Sequence, residues 1–187
     1  MAGYYPDTCD QDIGAHSCDA CAVRELGRIR GAGFIHSDYY DTLIADPENE
    51  TVWANGIALG SNGIINIPET EGSLGEPAEA VRTGFGDVPE FLLGFDFAVT
   101  FNDPNFLQNC DFWNSINNAR GTYYFYYRSE TQTYITDKKV TVIAKQIIEN
   151  DDKSLVLWKV DVKWRGFNNP CNYETVETLR NCYIPET

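Results

Sequence analysis

The 187-residue chain reads as a mainly β protein: an antiparallel β-sandwich or partly closed barrel with one flanking α-helix and a long loop arm. Three observations lead there. Gly94 to Phe101 alternates, so that Phe95, Phe97, Val99 and Phe101 share one face of a half-buried strand. Ser154 to Arg165 points Val156, Trp158, Val160, Val162 and Trp164 one way and Lys159, Asp161, Lys163 and Arg165 the other, which describes a sheet with one wet or partner-facing side. The order strand, helix, strand, arm, strand, helix and then four strands lacks the regular alternation of a parallel α/β sheet.

Taken in order, Glu25 to His36 is an extended Arg-Ile-Arg and Phe-Ile run punctuated by Gly27, Gly31 and Gly33. A phosphate loop needs an amphipathic helix after such glycines, and Ser37-Asp38-Tyr39-Tyr40 does not announce one, so they read as bulges or close backbone approaches. Pro47 to Ala58 predicts a short helix with Asp46 as N-cap, Pro47 at the first position, Glu48 in the first turn, and Val52, Trp53 and Ile57 on one side. Gly60 ends it, and Ile64-Ile65-Asn66-Ile67 is a strand stopped by Pro68. From Pro68 to Pro89 the breakers and the acids at 69, 71, 76, 79 and 87 leave little regular pattern, as in a working arm or a solvated loop.

After the alternating strand, Asp103 is placed to cap a helix with Pro104 at its first position. Phe106, Cys110, Trp113 and Ile116 follow at helical spacing until Asn117-Asn118 and Gly121. Thr122 to Ser129 is an aromatic strand, Thr131 to Thr136 a shorter one, and Val140 to Ile148 another. Asn150-Asp151-Asp152-Lys153 then turns the chain into the last long strand. Tyr123-Tyr124-Phe125-Tyr126-Tyr127 suits alternate rings facing a core, with a carbohydrate-stacking platform as the other use. The domain organisation expected is a cysteine-bearing N-terminal arm over 1–24, a sandwich over 25–166 with a loop arm at 68–89, and a C-terminal extension over 167–187.

Charge narrows the function classes. Residues 1–90 carry four arginines and no lysine against sixteen acids, a net of −12, while 91–187 contribute only −2. Such a field repels nucleic acid phosphates, so DNA binding is disfavoured, and it suits a partner with a positive face or a surface past which DNA slides. Met1 to Asp12 has neither a basic start nor a signal-length apolar run, and no segment approaches a membrane span; production in a cytosol is the expectation.

Six cysteines lie at 9, 18, 21, 110, 171 and 182. Cys18 and Cys21 have zinc-knuckle spacing and Cys9 and His16 complete a compact, irregular four-ligand set; the same residues also read as reduced thiols packed as small apolar groups, or as partners in a terminal disulfide under oxidising conditions. His16 and His36 are the only histidines, and no nucleophile-elbow, zincin or phosphate-loop motif is present. The expectation is a protein that is not an enzyme, with no catalytic, cofactor-binding or metal residue assigned and no cofactor.

Gly94 to Phe101, the Asn102-Asp103-Pro104-Asn105 helix start, Cys110-Asp111-Phe112-Trp113-Asn114 and the strand ending Trp158-Lys159-Val160-Asp161-Val162-Lys163-Trp164 resemble, in their order, structural proteins of tailed bacteriophages, the tail-tube type in particular. The resemblance spans roughly residues 25–166. It implies a virion structural subunit, assembled in the host cytoplasm, that self-associates into stacked rings or tubes. It further implies a long arm reaching the next ring, contacts with other virion proteins, and an acidic lumen through which DNA passes without specific binding. A capsid decoration or head-to-tail connector protein, and a carbohydrate-binding β-sandwich module, are the alternatives.

Overall fold

The computed structural model describes residues 28–84, 90–103, 108–119, 121–148 and 156–180. Within them the chain forms two open antiparallel sheets stacked as a sandwich. The first contains β1 (Gly31–His36), β2 (Ile64–Ile67), β6 (Tyr123–Arg128), β7 (Gln132–Ile135) and β10 (Cys171–Glu174), in the order β10-β7-β6-β1-β2. The second contains β3 (Glu71–Leu74), β4 (Ala78–Arg82), β5 (Phe91–Asp103), β8 (Thr141–Ile147) and β9 (Leu157–Gly166), in the order β3-β5-β9-β8, with β4 pairing farther along β5.

Alternation in β5 and β9 works as expected: Phe97, Val99 and Phe101 face Trp158, Val160, Val162 and Trp164 of the same sheet's inner surface, and all are buried. Across the gap they meet Phe34, Phe125 and Tyr127 of the first sheet. Phe101 stacks on Phe125 at 6.2 Å and Phe97 on Trp164 at 5.2 Å, the offset ring geometry that adds to simple area burial. A second core lies on the other side of the first sheet. There Ile35, Ile64, Tyr126 and Ile135 are covered by Leu43, Trp53, Ile57 and Leu179. The first sheet is thus buried on both faces, and the rings of β6 divide between the two cores. Tyr123 and Tyr124 are half-buried and Phe125, Tyr126 and Tyr127 buried, so the strand's rings are spent mainly on packing.

The helical layer is larger than the one flanking helix expected. α1 (Ser37–Ala45) follows β1 directly, at the residues read as starting no helix. The His36 imidazole accepts a hydrogen bond from the Asp38 amide at 3.2 Å, and Tyr39, Tyr40, Leu43 and Ile44 form the stripe against the sheet. The phosphate-loop reading still has no ground, because Gly31 and Gly33 lie inside β1 and not in a loop before the helix. α2 (Glu50–Ala58) starts three residues later than expected. Its N-cap is Asn49, whose Oδ1 accepts from the Thr51 amide at 2.9 Å; Asp46 instead ends α1, and the Pro47 carbonyl accepts from Trp53 Nε1 at 2.7 Å.

α3 (Cys110–Ile116) closes one end of the sandwich core with Trp113. Asp103 does not cap it. It is the last residue of β5, fully buried, and its Oδ2 accepts from Trp113 Nε1 at 2.8 Å and from Asn109 Nδ2 at 2.7 Å. Pro104 and Phe106, like the turn at 150–153, lie outside the described residues. Asn117, just past α3, reaches β8: its Nδ2 donates to the Ala144 carbonyl at 3.1 Å and its Oδ1 accepts from the Ala144 amide at 2.8 Å.

Two stretches expected to stand apart from the sheets belong to them. Residues 71–74 and 78–82 of the expected arm are β3 and β4, both paired to β5; residues 85–89 lie outside the described set. Within 167–187, β10 pairs with β7, and Val176 and Leu179 fill the second core. Glu50 clasps this segment, accepting from the amides of Glu177 and Thr178 at 3.2 and 2.6 Å and from the Thr178 hydroxyl.

The centre of the first sheet depends on one glycine. Tyr126, Gly33 and Asn66 stand in one cross-strand row, and the Tyr126 ring lies over Gly33 so that its hydroxyl donates to Asn66 Oδ1 at 2.7 Å. A Cβ on Gly33 would sit 2.5 Å from that ring and 2.2 Å from the Ile65 carbonyl.

Candidate functional site

The layering separates charge. Between Arg30 and Arg82 there is no lysine or arginine, and Asp38, Asp41, Asp46, Glu48 and Glu50 are exposed on the helical layer. On the opposite side of the molecule, the outer face of the second sheet presents Lys145, Lys159, Lys163 and Arg165. Lys145 and Lys159 stand directly opposite each other in the β8–β9 register, a like-charge pairing that costs stability in an isolated sheet. Asp96 partly offsets this face through a two-pronged contact with Arg165, at 2.7 and 2.9 Å, which holds the Asp96 carboxyl below its ordinary value by hydrogen bonding and charge.

A two-stranded ribbon extends this sheet. β9 accompanies β5 only as far as Phe95, opposite Gly166, so Phe91 to Gly94 pair with β4 alone. Val81, Phe91, Leu92 and Leu93 are each 43–51% exposed there; other exposed large apolar side chains, such as Leu59, Ile148 and Phe167, lie outside this ribbon. Four adjacent apolar side chains on a narrow ribbon form the kind of surface that marks an interaction site.

No family model matches the chain, and no curated protein or solved structure is similar to it.

The end of the sandwich where the chain enters β1 holds a cavity of about 730 Å³. Arg28 and Arg30 approach it from the entry to β1, Arg128 from the end of β6, and Arg180 from the last described turn. Arg30 pairs with Glu130 at 3.3 Å, Arg28 with Glu71, and Arg180 donates to the Glu130 carbonyl at 3.1 Å. Arg128 differs from these three. It is 7% exposed, and among the described residues its guanidinium donates only to the carbonyls of Pro68 and Ser129 while Nε has no hydrogen-bond partner. Burial, with Arg180 and Arg30 nearby, pulls its pKa below the ordinary value against the opposing influence of Tyr126 and Glu69. A second cavity of about 660 Å³ shares Arg28, Glu71, Asn102 and Leu157 with the first and continues to Lys159.

The zinc candidates Cys9, His16, Cys18 and Cys21, and Cys182, lie outside the described residues. Cys110 and Cys171 carry free thiols. Among the described residues no three His, Cys, Asp or Glu side chains gather as a metal site, and no helix is long and apolar enough to cross a membrane. Sequence reasoning missed the arginine cavity, whose members span positions 28 to 180. The available signal was Arg128, a lone charge ending an otherwise aromatic strand with no polar alternation around it.

Proposed function

We propose that the chain is a self-associating structural subunit of a phage virion, of the tail-tube type. The observation that carries this reading is the β4–β5 ribbon, which displays Val81, Phe91, Leu92 and Leu93 beyond the body of the sandwich. A ribbon of this kind serves as the arm by which one copy contacts the next. The opposed charged faces add to it. An acidic helical layer on one copy complements the basic outer sheet of another, and such a head-to-tail contact uses two different patches, which makes a ring when the rotation from copy to copy closes and an open filament when it does not. The acidic residues of 1–90 that this contact leaves uncovered would keep DNA from adhering to the passage. A capsid decoration or connector protein would use the same surfaces, and the symmetry of the assembly distinguishes them.

Light scattering and negative-stain microscopy of the full chain at high concentration test the proposal. Rings or tubes are expected. The double variant Phe91→Ser/Leu92→Ser, altering exposed side chains only, should remain folded and shift the population to monomer. A wild-type chain that stays monomeric at high concentration would overturn the reading.

A further inference from the structure

We propose that the arginine-lined cavity at the entry to β1 is a binding site for a carboxylate group. This concerns a ligand and does not depend on the assembly proposed above. Three features converge on it. The first is the choice of cation: every basic residue around the larger cavity is an arginine, whose planar fork of donors matches a carboxylate or phosphate in two-point contact. The second is Arg128. Among the described residues this buried guanidinium has no carboxylate partner, which costs stability unless an anion reaches its terminal nitrogens; Nε itself packs over Gly31, out of a ligand's reach.

The third feature is the charge balance, which selects among anions. Arg28, Arg30 and Arg180 are ion-paired with Glu71, Glu130 and Glu177, which leaves Arg128 as the one arginine of the four without an ion pair among the described residues. A singly charged carboxylate matches that single cation. A phosphate dianion would bring a second negative charge against Glu69 and the other glutamates at short range. The volume of about 730 Å³ is far more than one carboxylate needs, so the group arrives on something larger, in the size range of small-molecule sites. Two sources share this chemistry: a free organic acid, or an Asp or Glu side chain of a peptide segment. The adjoining cavity, reached past Arg28, gives such a segment a continuation.

Titration of the full chain with sodium acetate, with the peptide acetyl-Glu-Glu-Glu-amide and with sodium phosphate, at constant ionic strength, tests this by amide NMR shifts at Gly31, Ser129 and Glu130. Acetate and the peptide should each give saturable shifts. A peptide that binds more tightly than acetate identifies the peptide source, and equal affinity the free acid. Arg128→Met should weaken binding about tenfold or more, the loss expected for a charge-assisted pair. Arg30→Gln alters a half-exposed side chain, should leave the fold intact, and should weaken binding by a smaller factor, so it decides the matter if Arg128→Met does not fold. Absence of saturable shifts with both carboxylate probes overturns the proposal. So does phosphate binding more tightly than acetate, or Arg30→Gln binding as wild type does.

Discussion

Replacing Gly33 with alanine should be among the most damaging single-methyl changes in this chain. The added Cβ would lie 2.2 Å from the Ile65 carbonyl and 2.5 Å from the Tyr126 ring. The carbonyl cannot retreat without opening the β1–β2 ladder, in which Gly33 pairs with Asn66 and Phe34 with Ile65. The ring cannot retreat either, because it is fully buried against Trp53, with ring centroids 5.1 Å apart, and tethered to Asn66. If strand and ring share the displacement, overpacking of this kind costs about 3 kcal/mol. If the ring is expelled, about 200 Å² of burial at about 25 cal/mol per Å² is forfeited, roughly 5 kcal/mol. The expected loss is therefore about 3–5 kcal/mol, a fall in Tm on the order of 10 °C for a domain of this size. Urea unfolding followed by circular dichroism and tryptophan fluorescence measures it. Gly75→Ala is the control: its Cβ would meet only the Ala98 carbonyl, at 3.6 Å, and it should stay within about 0.5 kcal/mol of wild type. A Gly33→Ala variant as stable as that control would refute the argument that the ring's path requires a glycine.

Two further outcomes follow from the contacts that tie the outer elements down. Asn117→Ala removes both hydrogen bonds to Ala144 and should cost about 1–2 kcal/mol in urea unfolding, and light scattering should show greater self-association as the β8 edge is uncovered. Glu50 has its pKa lowered, first by the Thr178 hydroxyl and then by the amides of Thr178 and Glu177, so its clasp is at full strength above the ordinary glutamate range and is lost as pH falls through the lowered value. Hydrogen exchange at the Thr178 amide should accelerate as pH drops below the ordinary glutamate range, after correction for intrinsic rates, and Glu50→Gln should weaken protection already at neutral pH. Protection that is the same across that range would count against the clasp.

The parts of the fold legible in the sequence are those where one residue's environment repeats along the chain. β5 and β9 alternate over many residues because one face is core and the other is not, and the Trp158 to Trp164 series could be read without any knowledge of its partner. β3, β4 and β10 carry no such signal. They are edge strands of four or five residues, half polar, held by ladders to β5 and β7 whose sequences gave no hint of them. α1 was hidden by its start, since a histidine cap is an uncommon helix signal, although Tyr39, Tyr40, Leu43 and Ile44 keep helical spacing. For α2, Asp46 and Asn49 are both good caps three residues apart, and the hydrogen bond to Thr51 selects the later one. The ribbon's apolar tip, Phe91 to Leu93, falls between the arm read as ending at Pro89 and the alternating strand read as starting at Gly94; its exposure follows from β9 ending at Gly166. The arginine cavity depends on residues from four separate stretches and was beyond any local pattern.

Asn117 has a wider consequence than its two hydrogen bonds. By filling both outward groups of Ala144, it makes a side chain from α3 stand where another strand would lie, and the Val140 amide is likewise engaged by the Tyr123 carbonyl. The β8 side of the second sheet is therefore blocked at Ala144, its middle, while no described strand covers the far side of β4. A sheet that accepts a neighbour on one side only cannot propagate as an endless β-ribbon: two such open sides can meet once, and growth stops. As far as this sheet is concerned, a larger assembly is built through side chains on faces and arms, so its size is set by the angle at which those faces meet and not by how many strands are available to add.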